Sequence, residues 1–416
     1  MIDRITILGG SSVYIPEFVS TALAHNIIIR ELVLLGKPGR KLDSVSAFCQ
    51  RLVDKNGHAT KIIPETDVET AVRDASYIIN HVRVGGMKAR IRDEMTPPQL
   101  DMIGSDSIGA GAVINALRTL PVVLNFAHTI ERVNPDAVII NLTNPVGIIV
   151  EALNRITPLK VMGVNNLPGV YIRKVSTLLG RTPNEVQTNY LGLHDLGWIQ
   201  DMKVNGKSRM RKVLDLIETS DDDEYDRSLI SLFHMIPTRH AGLYFRRSEA
   251  LKYQQSCARF RSQLLHDTEK RILHLYANDT LNSVPTLTQQ RNPLWYEYTL
   301  IPLLKALESS KSTSMVLCVQ NQGAITDLPD KCSVEIPVTI GKKDFKAAKI
   351  GLLPRFLKGF YCAVKESDRL VIEAVRHKSY DHALQALAVN PFVPSTDKAR
   401  EYLDRALRQD KLELRK

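Results

Sequence analysis

An imidazole and a carboxylate stand side by side in the stretch Leu191-Gly192-Leu193-His194-Asp195-Leu196-Gly197. An imidazole titrates near neutrality and can act as a general acid or base. Packing is the competing reading for a lone histidine. Function is favoured here because His194 follows directly on a segment patterned for a cofactor. Upstream, Arg83 and Arg90 flank Gly85-Gly86. Two guanidinium forks there can grip a carboxylate, phosphate or sulfonate, with surface ion pairs as the alternative, more so for Arg90. Asn144 precedes Pro145, which holds it extended, so its amide can reach a substrate hydroxyl or a nicotinamide ribose.

The elements that must position these groups begin at the N-terminus. Residues 4–8 form an apolar run that stops at Gly9-Gly10-Ser11-Ser12 and enters a helix near Pro16. Strand, glycine turn and helix N-terminus together make a phosphate cradle, since N–H groups and the helix dipole both favour an anion. The full dinucleotide fingerprint has a further glycine where Ser11 stands, and an ordinary tight turn is the competing reading. The next strand, 31–35, ends at Gly36 rather than at the usual ribose-binding acid, and Lys37 and Arg40 follow. That exchange suits either the 2′-phosphate of NADP or a simple turn. Apolar strands at 61–63, 76–80, 138–142 and 161–164 alternate with helical patterns at 44–56 and 71–74. Such alternation predicts a doubly wound parallel sheet. A glycine-rich turn at 103–112 leads into another helix, and Asn166 at the end of strand 161–164 is a candidate substrate contact. From Tyr190 the pattern changes. Residues 210–290 read as mostly helical, 291–296 begin a helix, 316–319 form a strand, and the last third is helical with a fraying charged tail at 408–416. The expected fold is therefore α/β, with a dinucleotide-binding domain at 1–190 and an α+β substrate domain at 191–416.

At 416 residues, two domains are the natural expectation. No apolar run reaches membrane-spanning length, and no signal peptide is visible. Five scattered cysteines without metal-type spacing suggest a reduced, cytoplasmic setting. The net charge of +10 is spread along the chain and accompanied by no nucleic-acid motif, so an anionic small substrate or a merely basic surface accounts for it better.

Taken together, these stretches resemble the NAD-dependent glycosidases of glycoside hydrolase family 4, whose fold is similar to lactate and malate dehydrogenases. The resemblance runs from about residue 5 to 394. It is carried by Gly9-Gly10-Ser11-Ser12 with Tyr14 and Pro16-Glu17, by Arg83-Val84-Gly85-Gly86 with Arg90 and Asp93-Glu94, by Ala116-Leu117-Arg118-Thr119-Leu120-Pro121-Val122, by Asn144-Pro145-Val146-Gly147, and by Asn321-Gln322-Gly323-Ala324-Ile325 with Leu328-Pro329. It implies hydride removal from sugar C3, loss of the C2 proton, elimination of the aglycone, addition of water and re-reduction, outside the two-carboxylate rule of most glycosidases.

The departures are equally informative. Where the family has a metal-binding Cys this chain has Asn165, and where it has a metal-binding His this chain has Asp195. Oxygen ligands of this kind can hold Mn²⁺, but the loss of thiolate and imidazole argues against it. His194 falls where lactate and malate dehydrogenases carry their proton-accepting histidine, and it is expected to replace the metal as base. The family's C2 base, a Tyr after an Ile-Pro segment, corresponds to His240 or to Tyr244. Arg83, Arg90 and Arg291, with Ser12, are expected to hold a phosphate, sulfonate or carboxylate at C6. The other readings are a sugar or hydroxy-acid dehydrogenase and a non-catalytic nucleotide-binding relative. The resemblance further implies a homodimer or tetramer.

Overall fold

The computed structural model describes residues 1–291, 295–342 and 344–415. Its strands are β1 (Ile2–Leu8), β2 (Ile29–Leu35), β3 (Lys61–Glu65), β4 (Tyr77–Asn80), β5 (Val138–Asn141), β6 (Lys160–Gly163), β7 (Gln187–Leu193), β8 (Leu196–Val204), β9 (Lys207–Ser208), β10 (Ile236–Pro237), β11 (Thr313–Gln320), β12 (Ser333–Gly341) and β13 (Asp344–Ala347). The first six pair in parallel in the order β3-β2-β1-β4-β5-β6, the doubly wound arrangement expected of the alternating pattern. β4 and β5, Tyr-Ile-Ile-Asn and Val-Ile-Ile-Asn, are buried throughout because helices cover both faces. An antiparallel half continues the same sheet: β6 meets β11, and β12, β7, β8 and β10 follow. The direction of winding reverses between β1 and β4, which opens a crevice at the strands' carboxyl ends.

Polar side chains tie that rim together. Asn80 donates to the Asn141 side-chain oxygen at 2.7 Å, and Asn141 donates to the Thr143 carbonyl at 3.0 Å. The Thr143 hydroxyl returns to the Val82 carbonyl at 3.0 Å. The ends of β4 and β5 are thus locked in register beside the loops that carry Arg83 and Asn144.

Two expectations need correction. The helix Gly109–Val133 is, by length and composition, apolar enough to cross a membrane, yet most of it is buried inside the protein. It is the central helix against which several others pack, which explains its apolar composition. Over its described residues, 408–415, the charged tail is tied down. The helix Thr396–Asp410 brings Asp410 into contact with Arg118 at 2.7 Å and with Arg92, and both Arg118 and Asp410 are buried. Beyond it, Arg415 bonds the backbone of Lys378 and Tyr380. Of the helix expected to begin at 291–296, residues 292–294 lie outside the described ones, and Trp295–Tyr298 is helical.

Asp410→Ala strips a carboxylate from a buried arginine that keeps only Asp93, so we expect urea unfolding to show a loss of about 3 kcal/mol.

Candidate active site

The carboxyl ends of the parallel strands and the tip of the β7–β8 hairpin open onto one cavity of about 1420 Å³. Gly9, Ser11 and Ser12 line it on the cradle side. Gly9 has φ +90°, and a Cβ there would come within 2.7 Å of the His81 carbonyl oxygen. Gly10 does not line the cavity. A Cβ on it would strike Leu34 at 2.5 Å, so its role is to let the turn lie against β2. The N–H groups of Gly9 and Gly10 both donate to the Leu35 carbonyl, at 3.0 and 2.7 Å. This corrects the expectation that they face a phosphate and leaves the Ser11–Ser12 end of the turn to do so. Pro16 does sit in the first turn of the helix Ile15–Ala24. Lys37 lines the cavity, whereas Arg40, the exposed first residue of the helix Arg40–Lys55, does not; Lys41 takes its place.

His194 and Asp195 are the two-residue turn between β7 and β8, with Asp195 at φ +66°. The turn survives because Gly192 and Gly197 pack face to face; a Cβ on Gly192 would lie 2.5 Å from the Gly197 Cα. The Asp195 carbonyl accepts from the Thr238 hydroxyl at 2.6 Å, which ties the hairpin tip to the segment bearing His240. The result is a buried cluster. Asp195 Oδ2 lies 3.7 Å from His194 Nε2 and 3.5 Å from His240 Nδ1. Glu335 on β12, wholly buried, lies 3.5 Å from His194 Nδ1 and accepts from Tyr190 at 2.7 Å. Asn165 donates to Asp195 at 3.1 Å and to Glu335 at 2.9 Å, while its own side-chain oxygen caps a helix through the Leu167 N–H. Burial alone would lower His194, but Asp195 and Glu335 outweigh it and leave the imidazole above its ordinary value. Burial likewise opposes ionisation of Asp195, and the two imidazoles reverse this, holding its carboxyl far below the usual range.

Tyr244 is not part of this cluster. Its ring stacks on Phe360 at 3.8 Å within an aromatic core, so of the two C2-base candidates only His240 reaches the cavity. The arginines are differently employed than expected. Arg83 pairs with Asp106 at 2.7 Å, and Arg90 with Glu94 at 2.7 Å and Asp106 at 3.6 Å. Arg291 pairs with Glu17 at 3.2 Å and stacks on Tyr14 at 4.1 Å. All three line the cavity, as do Asn144 and Asn166, and Asn144 donates to Asp106 at 3.3 Å. Arg239 and Arg261 line it without a carboxylate partner among the described residues.

Family models for "Family 4 glycosyl hydrolase" and its C-terminal domain match residues 4–180 and 190–393. This chain belongs to family 4 of the glycosyl hydrolases. It is 28% identical to the 6-phospho-beta-glucosidase of Escherichia coli (strain K12), over 97% of this chain and 94% of that one. A 6-phospho-beta-glucosidase structure from Thermotoga maritima, with NAD and glucose-6-phosphate, superposes with TM-score 0.92 at 27% identity, covering 100% of both chains. A second form of that enzyme contains manganese as well (TM-score 0.90, 27% identity, 99% of both chains). The malate dehydrogenase of Cryptosporidium parvum shares the fold at 14% identity and TM-score 0.54, over 91% of this chain and 100% of that one.

For a family 4 enzyme the cradle fits a dinucleotide: a backbone without room for side chains at Gly9 and Gly10, with hydroxyls at Ser11 and Ser12 and an amide at Asn144. The metal position does not fit. Asn165 turns its NH₂, not its oxygen, toward the two carboxylates. Capping of Leu167 determines that orientation. Among the described residues, no group of three or more His, Cys, Asp or Glu is placed to hold an ion. Asp106, Glu335 and Arg239 were not singled out from the sequence. Asp106 lies in the glycine-rich turn, and Glu335 is a lone acid in an otherwise apolar strand, which was the available signal.

Glu335→Gln removes one of the carboxylates that raise His194, so its imidazole pKa, followed by NMR, is expected to fall relative to wild type. The raised value stabilises the fold below the unfolded histidine's pKa. That contribution disappears as pH rises through the folded pKa, and it shrinks in the variant.

Proposed function

We propose that this enzyme cleaves 6-phosphorylated glycosides using a nicotinamide dinucleotide and no metal ion. The observation that carries the reading is the convergence of His194 and His240 on one carboxylate oxygen of Asp195, on the wall of the cavity that the glycine turn also lines. When bound, the cofactor supplies a hydride acceptor for sugar C3 and returns the hydride at the end of the cycle. His194 takes the C3 hydroxyl proton as the carbon is oxidised, and Asp195 stabilises the cation that forms. The new ketone acidifies the C2–H bond. His240 removes that proton, the electron pair forms the C1–C2 double bond, and the C1–O bond breaks with the aglycone. Water then adds to C1 and gives up one proton, which balances the departed aglycone oxygen; His240 returns its proton to C2, and His194 returns its proton to the C3 oxygen as the ketone is reduced. No net oxidation remains.

Asn165 supports the metal-free reading. Its amide hydrogens donate to both Asp195 and Glu335, and His194 and His240 lie against the same carboxylates. The anionic group at C6 is assigned to Arg239 and Arg261, since Arg83, Arg90 and Arg291 each have a carboxylate to answer to. Arg261 is lowered by burial and then by Arg239 and Arg90, a crowding of like charge that a bound dianion relieves. A phosphate is favoured because relatives named as acting on 6-phospho sugars match nearly the whole chain.

The test is a panel of para-nitrophenyl glycosides carrying 6-phosphate, 6-sulfonate or 6-carboxylate. We expect release of nitrophenol from the 6-phosphate with catalytic cofactor and no loss in EDTA. One reduced cofactor per product would mean a dehydrogenase instead, and preference for the sulfonate would reassign the anion.

His240→Gln should abolish exchange of the C2 hydrogen with solvent deuterium while cofactor reduction by substrate persists. Tyr244→Phe should leave kcat within about twofold of wild type, because only its ring is packed.

A further inference from the structure

The adenosine end of the cradle lacks the group that makes such sites selective for an unphosphorylated ribose. In a dinucleotide fold that group is an acid closing the second strand, where it binds the 2′-hydroxyl. Here β2 closes at Gly36. The position is crowded: a Cβ would lie 3.1 Å from Leu42 Cδ1 and 3.3 Å from Ser11 Cβ. A side chain there would need Leu42 and Ser11 to give way by a few tenths of an ångström, and the turn packs closely without one. The neighbouring carboxylates are engaged elsewhere. Glu65, at the end of the adjacent strand, accepts from the N–H groups of Thr66 and Asp67 at 2.6 and 2.9 Å. Asp67 caps the helix Val68–Val72 through the Thr70 N–H at 2.7 Å. Neither Glu65, Asp67 nor Asp43 lines the cavity.

Cations stand in the acid's place. Lys37 and Lys41 both line the cavity beside Gly36, with Ser11 and Thr66 supplying hydroxyls. Among the described residues neither lysine is in an ion pair, in contrast to Arg83, Arg90 and Arg291 in the same cavity. Two unneutralised ammonium groups and two hydroxyl donors around a ribose position form a receptor for a phosphate monoester.

We propose that Gly36, Lys37 and Lys41 with Ser11 and Thr66 form a 2′-phosphate site, so that the enzyme takes NADP(H) in preference to NAD(H). The inference rests on reading the cradle as a dinucleotide site and adds the identity of the dinucleotide. The exposure of both lysines further implies that the preference is electrostatic and therefore screened by salt.

The test is a binding titration of the full chain, following nicotinamide fluorescence of NADH and of NADPH without substrate, at about 50 mM and about 500 mM salt. We expect NADPH to bind about tenfold more tightly at low salt, with the gap narrowing at high salt. In the double variant Lys37→Gln/Lys41→Gln the NADPH preference should vanish, while circular dichroism stays close to wild type. Wild-type protein that binds NADH as tightly as NADPH overturns the proposal, and so does a double variant that keeps the NADPH preference. Binding of neither coenzyme would sink the dinucleotide reading itself, and this proposal with it.

Discussion

Asp195 is the buried charge on which the site is built. It sits in a tight turn, away from solvent, and is compensated by two imidazoles on one oxygen and an amide on the other. An uncompensated carboxylate at such depth would cost several kcal/mol. The cluster is therefore satisfied only if the hairpin tip, the end of β6, the His240 segment and β12 all arrive together. Each comes from a different part of the chain, so the cluster reports correct assembly of the antiparallel half against the parallel one. The long sheet provides that assembly. β11 and β12 stand between β6 and β7, and this spacing brings Glu335 beneath His194.

Charge is distributed along the cleft in a way that composition could not reveal. A net excess of cations could have meant a diffuse basic surface. Instead, Arg83, Arg90 and Arg291 are matched by Asp106, Glu94 and Glu17, which hold their forks in set positions. Arg239, Arg261, Lys37 and Lys41 are left facing the cavity without such partners among the described residues. Matched cations position neighbours, whereas unmatched ones attract ligands, and the two kinds lie in one cavity.

The parallel half was legible from local pattern because its strands are buried on both faces. Runs such as Val138-Ile139-Ile140-Asn141 are continuous and apolar, and the helices between them are amphipathic. The antiparallel half was less so. Glu335 reads as an anomaly in an apolar strand, since nothing local says that Asn165 and Tyr190 will satisfy it. Tyr244 illustrates the opposite error. A phenol close in sequence to His240 looked equally able to act as a base, but four residues along a helical segment turn it into the aromatic core beside Phe360.

By itself the sequence determined the doubly wound sheet, the glycine turn before a proline-started helix, and the pairing of His194 with Asp195. These depend on period, turn chemistry and adjacency, all of which are local. Only the tertiary structure decided which histidine shares Asp195, which cations remain unmatched, and that Asn165 presents hydrogens rather than oxygen. Those outcomes depend on groups far apart in the chain competing for the same few buried partners, and that competition exists only once the strands have paired.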